Sequence, residues 1–148
     1  MNDQRSIIIR PIRAEDYVGI AAVWKAAGLS TRPAGRDGED AFRRQLPRFP
    51  GTYLLAEHNG RIVGVIFGTH DWRKGWINRL AVDPEYQCRG IALRLIAACE
   101  AALHALGIGI VAALVEEENE VSATAFRAAG YVTDVPVRYF RKLSRPDV

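Results

Sequence analysis

The fold is decided by residues 76–106, which read WINRLAVDPEYQCRGIALRLIAACEAALHAL. The first part alternates in the manner of a β-strand and puts Trp76, Leu80 and Val82 on one face. Asp83-Pro84 ends this strand, because proline has no backbone N–H to donate to a neighbouring strand. The apolar residues that follow recur every three or four positions, which predicts a long helix with one buried stripe: Ala92, Leu95, Ile96, Cys99, Leu103 and Leu106.

The loop between this strand and this helix ends in Gln87-Cys88-Arg89-Gly90-Ile91-Ala92. Amides in a first helical turn have no acceptor within the helix, so with the helix dipole they can bind a phosphate. The loop is not a P-loop, because no Lys-Ser or Lys-Thr follows the glycine, and it lacks the first glycine of a dinucleotide fingerprint. The alternative interpretation is a surface loop whose glycine only fits a tight turn.

These residues resemble the acetyl-CoA signature of the GNAT N-acetyltransferase superfamily, Q/R-x-x-G-x-G/A after a strand that ends in Ala-Val-Asp-Pro. Both parts stand in order at residues 80–84 and 87–92. The chain is similar to members that resemble ribosomal-protein-alanine acetyltransferases. The resemblance implies acetyl-CoA as cosubstrate, with its pyrophosphate on the loop and its pantetheine along the strand. The cofactor-binding residues it implies here are Leu80, Ala81, Val82, Gln87, Cys88, Arg89, Gly90, Ile91, Ala92 and Leu93.

A second match to the family lies near the C-terminus, where Asn119, Phe126 and Gly130-Tyr131 reproduce a family spacing. The resemblance implies that Asn119 contacts pantetheine and that Phe126 packs beside the thioester. Many relatives carry at the Phe126 position a tyrosine that protonates the departing thiolate, and phenylalanine cannot do this. The alternative roles are an N-terminal helix cap for Asn119 and ordinary core for Phe126.

The catalytic groups are harder to assign. Relatives carry a glutamate base either at the position of Leu114 or in the central strand, where this chain has Trp76 and Asn78. Glu116 shares the side-chain parity of Leu114 and is the candidate base, with a solvated acidic turn as the alternative. The backbone N–H of Val82 is the predicted oxyanion donor. No metal is expected.

Composition limits the class of protein. With 148 residues, 49% hydrophobic and 25% charged, the chain predicts one domain over residues 1–148 with a real core. The net charge of +3 suits an anionic cofactor but is too mild to predict a nucleic-acid partner. The start lacks an apolar leader and no run could span a bilayer, so we expect a cytoplasmic protein without a membrane partner. Two cysteines give no disulfide framework; Cys99 is expected in the core, and Cys88 is not needed as a nucleophile.

The remaining elements predict an α/β (α+β) GNAT fold, a mixed and mostly antiparallel sheet of six to seven strands with about four helices. Asn59-Gly60 joins two strands in a type I′ hairpin. The other predicted elements are a strand at 7–12, a helix ending near Gly28, a loop at 31–40, a helix at 39–46, a strand at 108–115, a helix at 121–129 and closing strands at 131–133 and 137–143.

We therefore expect an N-acetyltransferase that moves an acetyl group directly from acetyl-CoA to a primary amine of a small molecule or a peptide. One alternative is a non-catalytic CoA-binding or regulatory module, which the missing tyrosine and glutamates favour. Another is a nucleic-acid or acidic-partner binder using Arg43, Arg44 and Arg48, although three such arginines are usually a solvated face. The sequence determines neither the acceptor nor the oligomeric state, and a homodimer is compatible with it.

Overall fold

The computed structural model describes residues 6–148, which form a mixed five-stranded sheet with helices packed on both faces. The strands lie in the sheet in chain order; β1 to β4 are antiparallel, and β5 runs parallel to β4. The elements are β1 (Ile7–Pro11), α1 (Tyr17–Ala26), α2 (Glu39–Gln45), β2 (Tyr53–His58), β3 (Arg61–His70), β4 (Gly75–Val82), α3 (Ile91–Ala105), β5 (Val111–Ala113) and α4 (Glu120–Ala128).

Each face of the sheet has its own core. The α3 face is aliphatic and contains Leu95, Ile96 and Cys99, each fully buried. The helix lies so close to β3 that a Cβ on Gly68 would come within 2.5 Å of the Cys99 Sγ atom. The predicted core position of Cys99 is therefore confirmed. The opposite face, under α1 and α2, is aromatic and contains Trp24, Phe42, Tyr53 and Phe67.

The central strand β4 contains a bulge at Arg79, whose φ of 53° lies in the left-handed region. The pairing register with β3 shifts at this point, between Val65 and Phe67. One extra residue inverts the alternation of side chains along the strand. Ile77, Leu80 and Val82 consequently share the α3 core while Trp76 does not. The prediction that Trp76 lies on the face of Leu80 and Val82 is wrong for this reason.

The sheet has five strands among residues 6–148, so the prediction of six to seven is wrong. The predicted strand 108–115 shortens to Val111–Ala113, and the segments 131–133 and 137–143 form no strand. A strand needs a neighbour for its backbone N–H and C=O groups, whatever its side-chain pattern. In segment 137–143 the apolar side chains are exposed, and the exposed fraction of Phe140 is 86%.

Other predictions of local structure are confirmed. Asn59 and Gly60 have φ angles of 50° and 81° and join β2 to β3 in the expected hairpin. Four α-helices are present among the described residues, as expected. The buried stripe of α3 agrees with the sequence except at its end, because Leu106 lies beyond the helix and is 40% exposed.

Candidate active site

The first turn of α3 is bare of capping side chains. Gly90 is the N-cap residue, with a φ of 76°, and no side chain caps the helix or adds an acidic group to its first turn. Arg94 is the first residue whose N–H bonds back along the helix, to the Gly90 carbonyl at 3.1 Å. The N–H groups of residues 91–93 therefore have no acceptor within the helix. Such a turn suits an anion, because three donors and the positive end of the helix dipole converge there.

Side chains hold the loop before α3 in shape. Gln87 Nε2 donates to the carbonyl oxygen of Val82 at 3.2 Å, which ties the loop to the end of β4. Arg89 stacks over the ring of Tyr86, with its Cζ atom 4.9 Å from the ring centroid. Cys88 has a φ of 62° and is exposed. The side chains of Gln87 and Arg89 therefore make contacts within the loop itself.

A cleft of about 540 Å³ opens where β4 and β5 separate. The two strands pair only from Gly75 to Ile77 on β4, and beyond that point they diverge. The cleft is bounded by the end of α1, by β4 and by the segment that leads from β5 into α4. Its lining includes residues 27–30, Arg36, residues 77–80, residues 114–116, residues 118–122 and Phe126.

The backbone of β4 next to this cleft has a defined direction. The N–H of Asp83 donates to the Val63 carbonyl of β3 at 2.8 Å. Because successive N–H groups of a strand point to opposite sides, those of Leu80 and Val82 point away from β3. That is the side from which β5 has diverged. Leu80 lines the cleft, and the carbonyl of Val82, on the same side, already accepts the bond from Gln87.

The start of α4 forms a second wall of the cleft. Asn119 is the N-cap of α4, and its side chain accepts the Ser122 N–H at 3.2 Å, so the predicted capping role is confirmed. Phe126 is 6% exposed, belongs to the α3 core and stacks edge-to-face on Tyr131 with centroids 5.1 Å apart. Both Asn119 and Phe126 also line the cleft. The proposed contacts to pantetheine and thioester stay predictions.

Acidic side chains gather on the same wall. Glu116, Glu118 and Glu120 are exposed and line the cleft, whereas Glu117 does not line it. Leu114, which occupies the position of the base in some relatives, also lines the cleft and cannot accept a proton. Glu116 lines the cleft, and its role as the base stays a prediction.

Arg79 is a site residue that sequence analysis missed. Its guanidinium lies 4.4 Å from the Trp24 ring centroid and donates through Nη1 to the Ser30 carbonyl at 2.8 Å. Its Nε atom is 3.7 Å from Asp37 Oδ1, yet Nε and Nη2 are buried without a hydrogen bond. Burial lowers the pKa of Arg79, and the charge of Arg36 lowers it further while Asp37 and Glu116 act in the opposite direction. An arginine in the middle of the predicted central strand was the signal that could have identified it.

Residues 6–148 contain neither a metal site nor a membrane-spanning helix. No cluster of three or more histidine, cysteine, aspartate or glutamate side chains in this range is arranged to hold a metal ion. No helix in the same range is long and apolar enough to cross a bilayer.

Comparison with known proteins agrees with this geometry. An acetyltransferase from Pectobacterium atrosepticum is 34% identical, over 84% of this chain and 87% of its own. An N-acetyltransferase from Thermoplasma acidophilum in complex with coenzyme A superposes with a TM-score of 0.73 at 19% identity, covering 83% of this chain and 87% of that one. An aminoglycoside acetyltransferase from an uncultured soil metagenomic sample gives 0.77 at 17% identity, covering 98% and 100%. The sequence profile of the acetyltransferase (GNAT) family matches residues 17–131, and the chain therefore belongs to that family.

Proposed function

We propose that this protein transfers an acetyl group from acetyl-CoA to a primary amine in one direct step, without an acetyl-enzyme intermediate. The observation that carries the proposal is the bare first turn of α3, placed just after a strand whose unpaired edge borders the cleft. Acetyl-CoA needs one site for its diphosphate and an adjacent site for the arm that carries the thioester. Acetyl-CoA supplies the activated acetyl group.

The residues of the first site fit a pyrophosphate. The N–H groups of residues 91–93 supply donors, and no carboxylate in the first turn of α3 would repel the phosphates. The pantetheine arm carries amides that need backbone partners. Leu80 and Val82 can supply these along the edge of β4 that faces away from β3.

The chemistry at the thioester needs an oxyanion donor and a proton acceptor. The N–H of Val82 points to the splayed side and can stabilise the negative charge that forms on the carbonyl oxygen. The amine nitrogen forms a bond to the carbonyl carbon, and the C–S bond then breaks. Glu116 accepts the proton that the amine loses, directly or through a water molecule, and the thiolate of CoA leaves.

The side chain of Phe126 affects only the last of these steps. Phenylalanine cannot protonate the leaving group, but a thiol with a pKa of about 8.5 departs as thiolate at neutral pH for a cost of about 2 kcal/mol. Losing an α-ammonium proton costs about 1 kcal/mol at pH 7, against about 4–5 kcal/mol for a lysine side chain. An exposed base such as Glu116 therefore suits an acceptor with an α-amino group.

The test is to measure thiol release from acetyl-CoA with a panel of primary amines and to identify the acetylated amine by mass spectrometry. Glu116→Gln is expected to lower kcat by about 100-fold or more, since a lost general base costs about 10²–10⁴ in rate. Glu117→Gln is the matched control, because it removes the same charge one residue away, outside the cleft. It should leave kcat unchanged.

The alternative of a non-catalytic CoA-binding module makes a different prediction. It requires thermal stabilisation by CoA together with no thiol release for any amine of the panel. That result would contradict the proposed transfer reaction. Equal rates for the Glu116 and Glu117 variants would leave the transfer intact but remove Glu116 from it.

A further inference from the structure

A second concavity, which we call the arginine hollow, lies beside α2. It encloses about 820 Å³ between the loop 33–38 and the exposed side of α2, and Arg145 and Val148 of the C-terminal segment close one side. Its charged lining residues are Arg36, Arg44, Arg48 and Arg145 together with Glu39 and Asp40. No step of the proposed reaction uses these residues.

Most of these arginines have no carboxylate partner within the part of the chain that the structure describes. Arg145 pairs with Asp147 at 2.7 Å, but among residues 6–148 no ion pair involves Arg36, Arg44 or Arg48. Arg43, which precedes Arg44 on α2, is paired with Glu39 at 3.2 Å and lies outside the hollow. The lining therefore carries four arginines against the carboxylates of Glu39 and Asp40, and this excess of positive charge favours an anionic occupant.

The arginine hollow adjoins the cleft at Arg36. Arg36 lines both concavities, and it is near enough to Arg79 to lower the pKa of that guanidinium. Arginines thus recur from the cleft wall at Arg79, past Arg36, to Arg44 and Arg48, with Asp37, Glu39 and Asp40 among them. The facing wall of the cleft carries Glu116, Glu118 and Glu120. A molecule that spans both spaces meets carboxylates at one end and guanidinium groups at the other.

We propose that the acceptor is an acidic amine: its amino group reacts beside Glu116, and carboxylates further along the molecule bind Arg36, Arg44 and Arg48 in the arginine hollow. This inference rests on the proposed transfer reaction and narrows its substrate class. A polycationic acceptor fits poorly, because its distal ammonium groups would face the arginines.

The spacing of the arginines favours a peptide over a single amino acid. Arg44 lies near the end of α2, and Arg48 lies four residues later in the 3-10 turn Leu46–Arg48, which puts them roughly 6–8 Å apart along the chain axis. Alternate side chains on one face of an extended peptide repeat at about 6.8 Å. An extended peptide with a free N-terminus and glutamate at alternate positions therefore matches the hollow, whereas a free amino acid reaches at most Arg36.

The experiment compares three pentapeptides with free N-termini, Gly-Glu-Ala-Glu-Ala, Gly-Gln-Ala-Gln-Ala and Gly-Arg-Ala-Arg-Ala, together with free glutamate. Peptide binding to the CoA-bound protein is measured by calorimetry and turnover by thiol release. Each exposed ion pair contributes little binding free energy, but the acidic peptide can form two of them. We therefore expect its KM to be about tenfold below that of the glutamine peptide. The advantage should shrink when the salt concentration is raised from about 50 to 500 mM. Free glutamate should react with the higher KM of the glutamine peptide.

Variants separate the hollow from general surface charge. Arg44→Gln combined with Arg48→Gln should abolish the preference for the acidic peptide while kcat and the KM for acetyl-CoA stay as in the wild type. Arg43→Gln, the matched control on the same helix, should keep the preference. A double variant that still prefers the acidic peptide would overturn the inference.

Failure of this inference is distinguishable from failure of the transfer reaction. Turnover of the neutral or basic peptide at a KM equal to or below that of the acidic one would overturn the acidic-acceptor inference and leave the transferase intact. Salt-sensitive binding of the acidic peptide without any turnover would overturn the transfer reaction and leave the hollow only as a binding site for acidic peptides. If free glutamate matched the acidic pentapeptide, the hollow would be excluded as the docking surface.

Discussion

On the α3 side of the cleft the site is made by backbone groups, whereas on the α1 and α2 side it is made by charged side chains. The α3 half consists of the uncapped first turn and the edge of β4, whose donors are peptide N–H groups. The other half consists of Arg79, Arg36 and the arginine hollow. A backbone N–H is present at every residue except proline, whatever the sequence. A guanidinium group is present only where the residue is an arginine.

The difference explains how one fold can combine a constant cosubstrate with variable acceptors. A backbone site needs only the correct chain path and one permissive residue at Gly90, so it can be recognised from a short motif. A side-chain site depends on residues brought together from distant parts of the chain and can change one residue at a time. A short motif therefore predicts the cosubstrate, whereas the fold does not predict the acceptor.

The largest expected effect comes from a substitution of Gly90, in the part of the site that is made by backbone groups. Gly90→Glu places a negative charge and a side chain where the phosphates would bind, and we expect acetyl-CoA affinity to fall by about 100-fold, equal to about 2.7 kcal/mol. Calorimetric titration with acetyl-CoA measures this loss. Binding of the acidic pentapeptide should persist, which would show that the two halves are independent.

Gly107→Glu is the control for backbone strain at Gly90. Gly107 lies at the other end of α3 with a φ of 86°, close to the 76° of Gly90, and a Cβ added to it would meet no other atom within 4 Å. Both variants should lose stability in the left-handed conformation, at a cost of about 1–2 kcal/mol. Only Gly90→Glu should lose acetyl-CoA affinity, and unchanged affinity in that variant would refute the site.

A smaller effect is expected from a substitution of Asp16, which lies just before α1 on the side of the cleft made by charged side chains. This carboxylate precedes α1 and accepts two bonds from Arg10, each at 2.9 Å, and one from the Arg13 N–H at 2.7 Å. Asp16→Asn should lower the free energy of unfolding by about 1–3 kcal/mol at pH 7, because bonds to a charged group are lost. Urea unfolding measures the change, and acetyl-CoA affinity should be unaffected.

The Asp16 effect should depend on pH in a defined direction. The hydrogen bonds from Arg10 hold the pKa of Asp16 below its usual value of 3.8. The folded state therefore binds the proton less tightly than the unfolded chain, and the stabilisation is complete above about pH 4. It is lost as the pH falls through the lowered folded pKa, where wild type and variant should converge. Asp134→Asn, in the exposed C-terminal segment, is the control and should leave the free energy of unfolding at pH 7 unchanged.

The smallest effect is expected at Cys88, a side chain within the backbone half. Cys88→Ala should change kcat and the KM for acetyl-CoA by less than about twofold, because direct transfer needs no thiol and the residue contributes through its main chain. Steady-state kinetics measures both constants. Loss of turnover with preserved acetyl-CoA affinity would instead indicate an acetyl-cysteine intermediate and a functional side chain in this half.

Local signals in the sequence predicted the parts of the fold that depend on local physics. Asn59-Gly60 demanded a hairpin because both residues tolerate positive φ angles, and the three- and four-residue spacing around Leu95 and Cys99 demanded a helix. Asn119 was recognisable as a cap for the same reason. The uncapped first turn of α3, which is the proposed phosphate site, belongs to this group, since it is a property of about ten consecutive residues.

The features that sequence analysis missed depend on distant partners. The segment 137–143 has the composition of a strand, but among residues 6–148 it has no neighbouring strand to pair with. The prediction of a strand from its composition was therefore wrong. The bulge at Arg79 is invisible to a rule of strict alternation. The arginine hollow joins Arg36, Arg44 and Arg145 from three separate segments, so its shape was not visible in the sequence.

The bulge at Arg79 also sets a condition for engineering this protein. Residues before and after position 79 follow opposite in-and-out patterns, so an alignment with an unbulged strand would misassign every side chain on one side of it. To transfer acceptor preference to a related protein, residues 75–82 should therefore be exchanged as one block. Residues 28–38 should be exchanged with them, because Ser30 and Asp37 in that loop contact the guanidinium of Arg79.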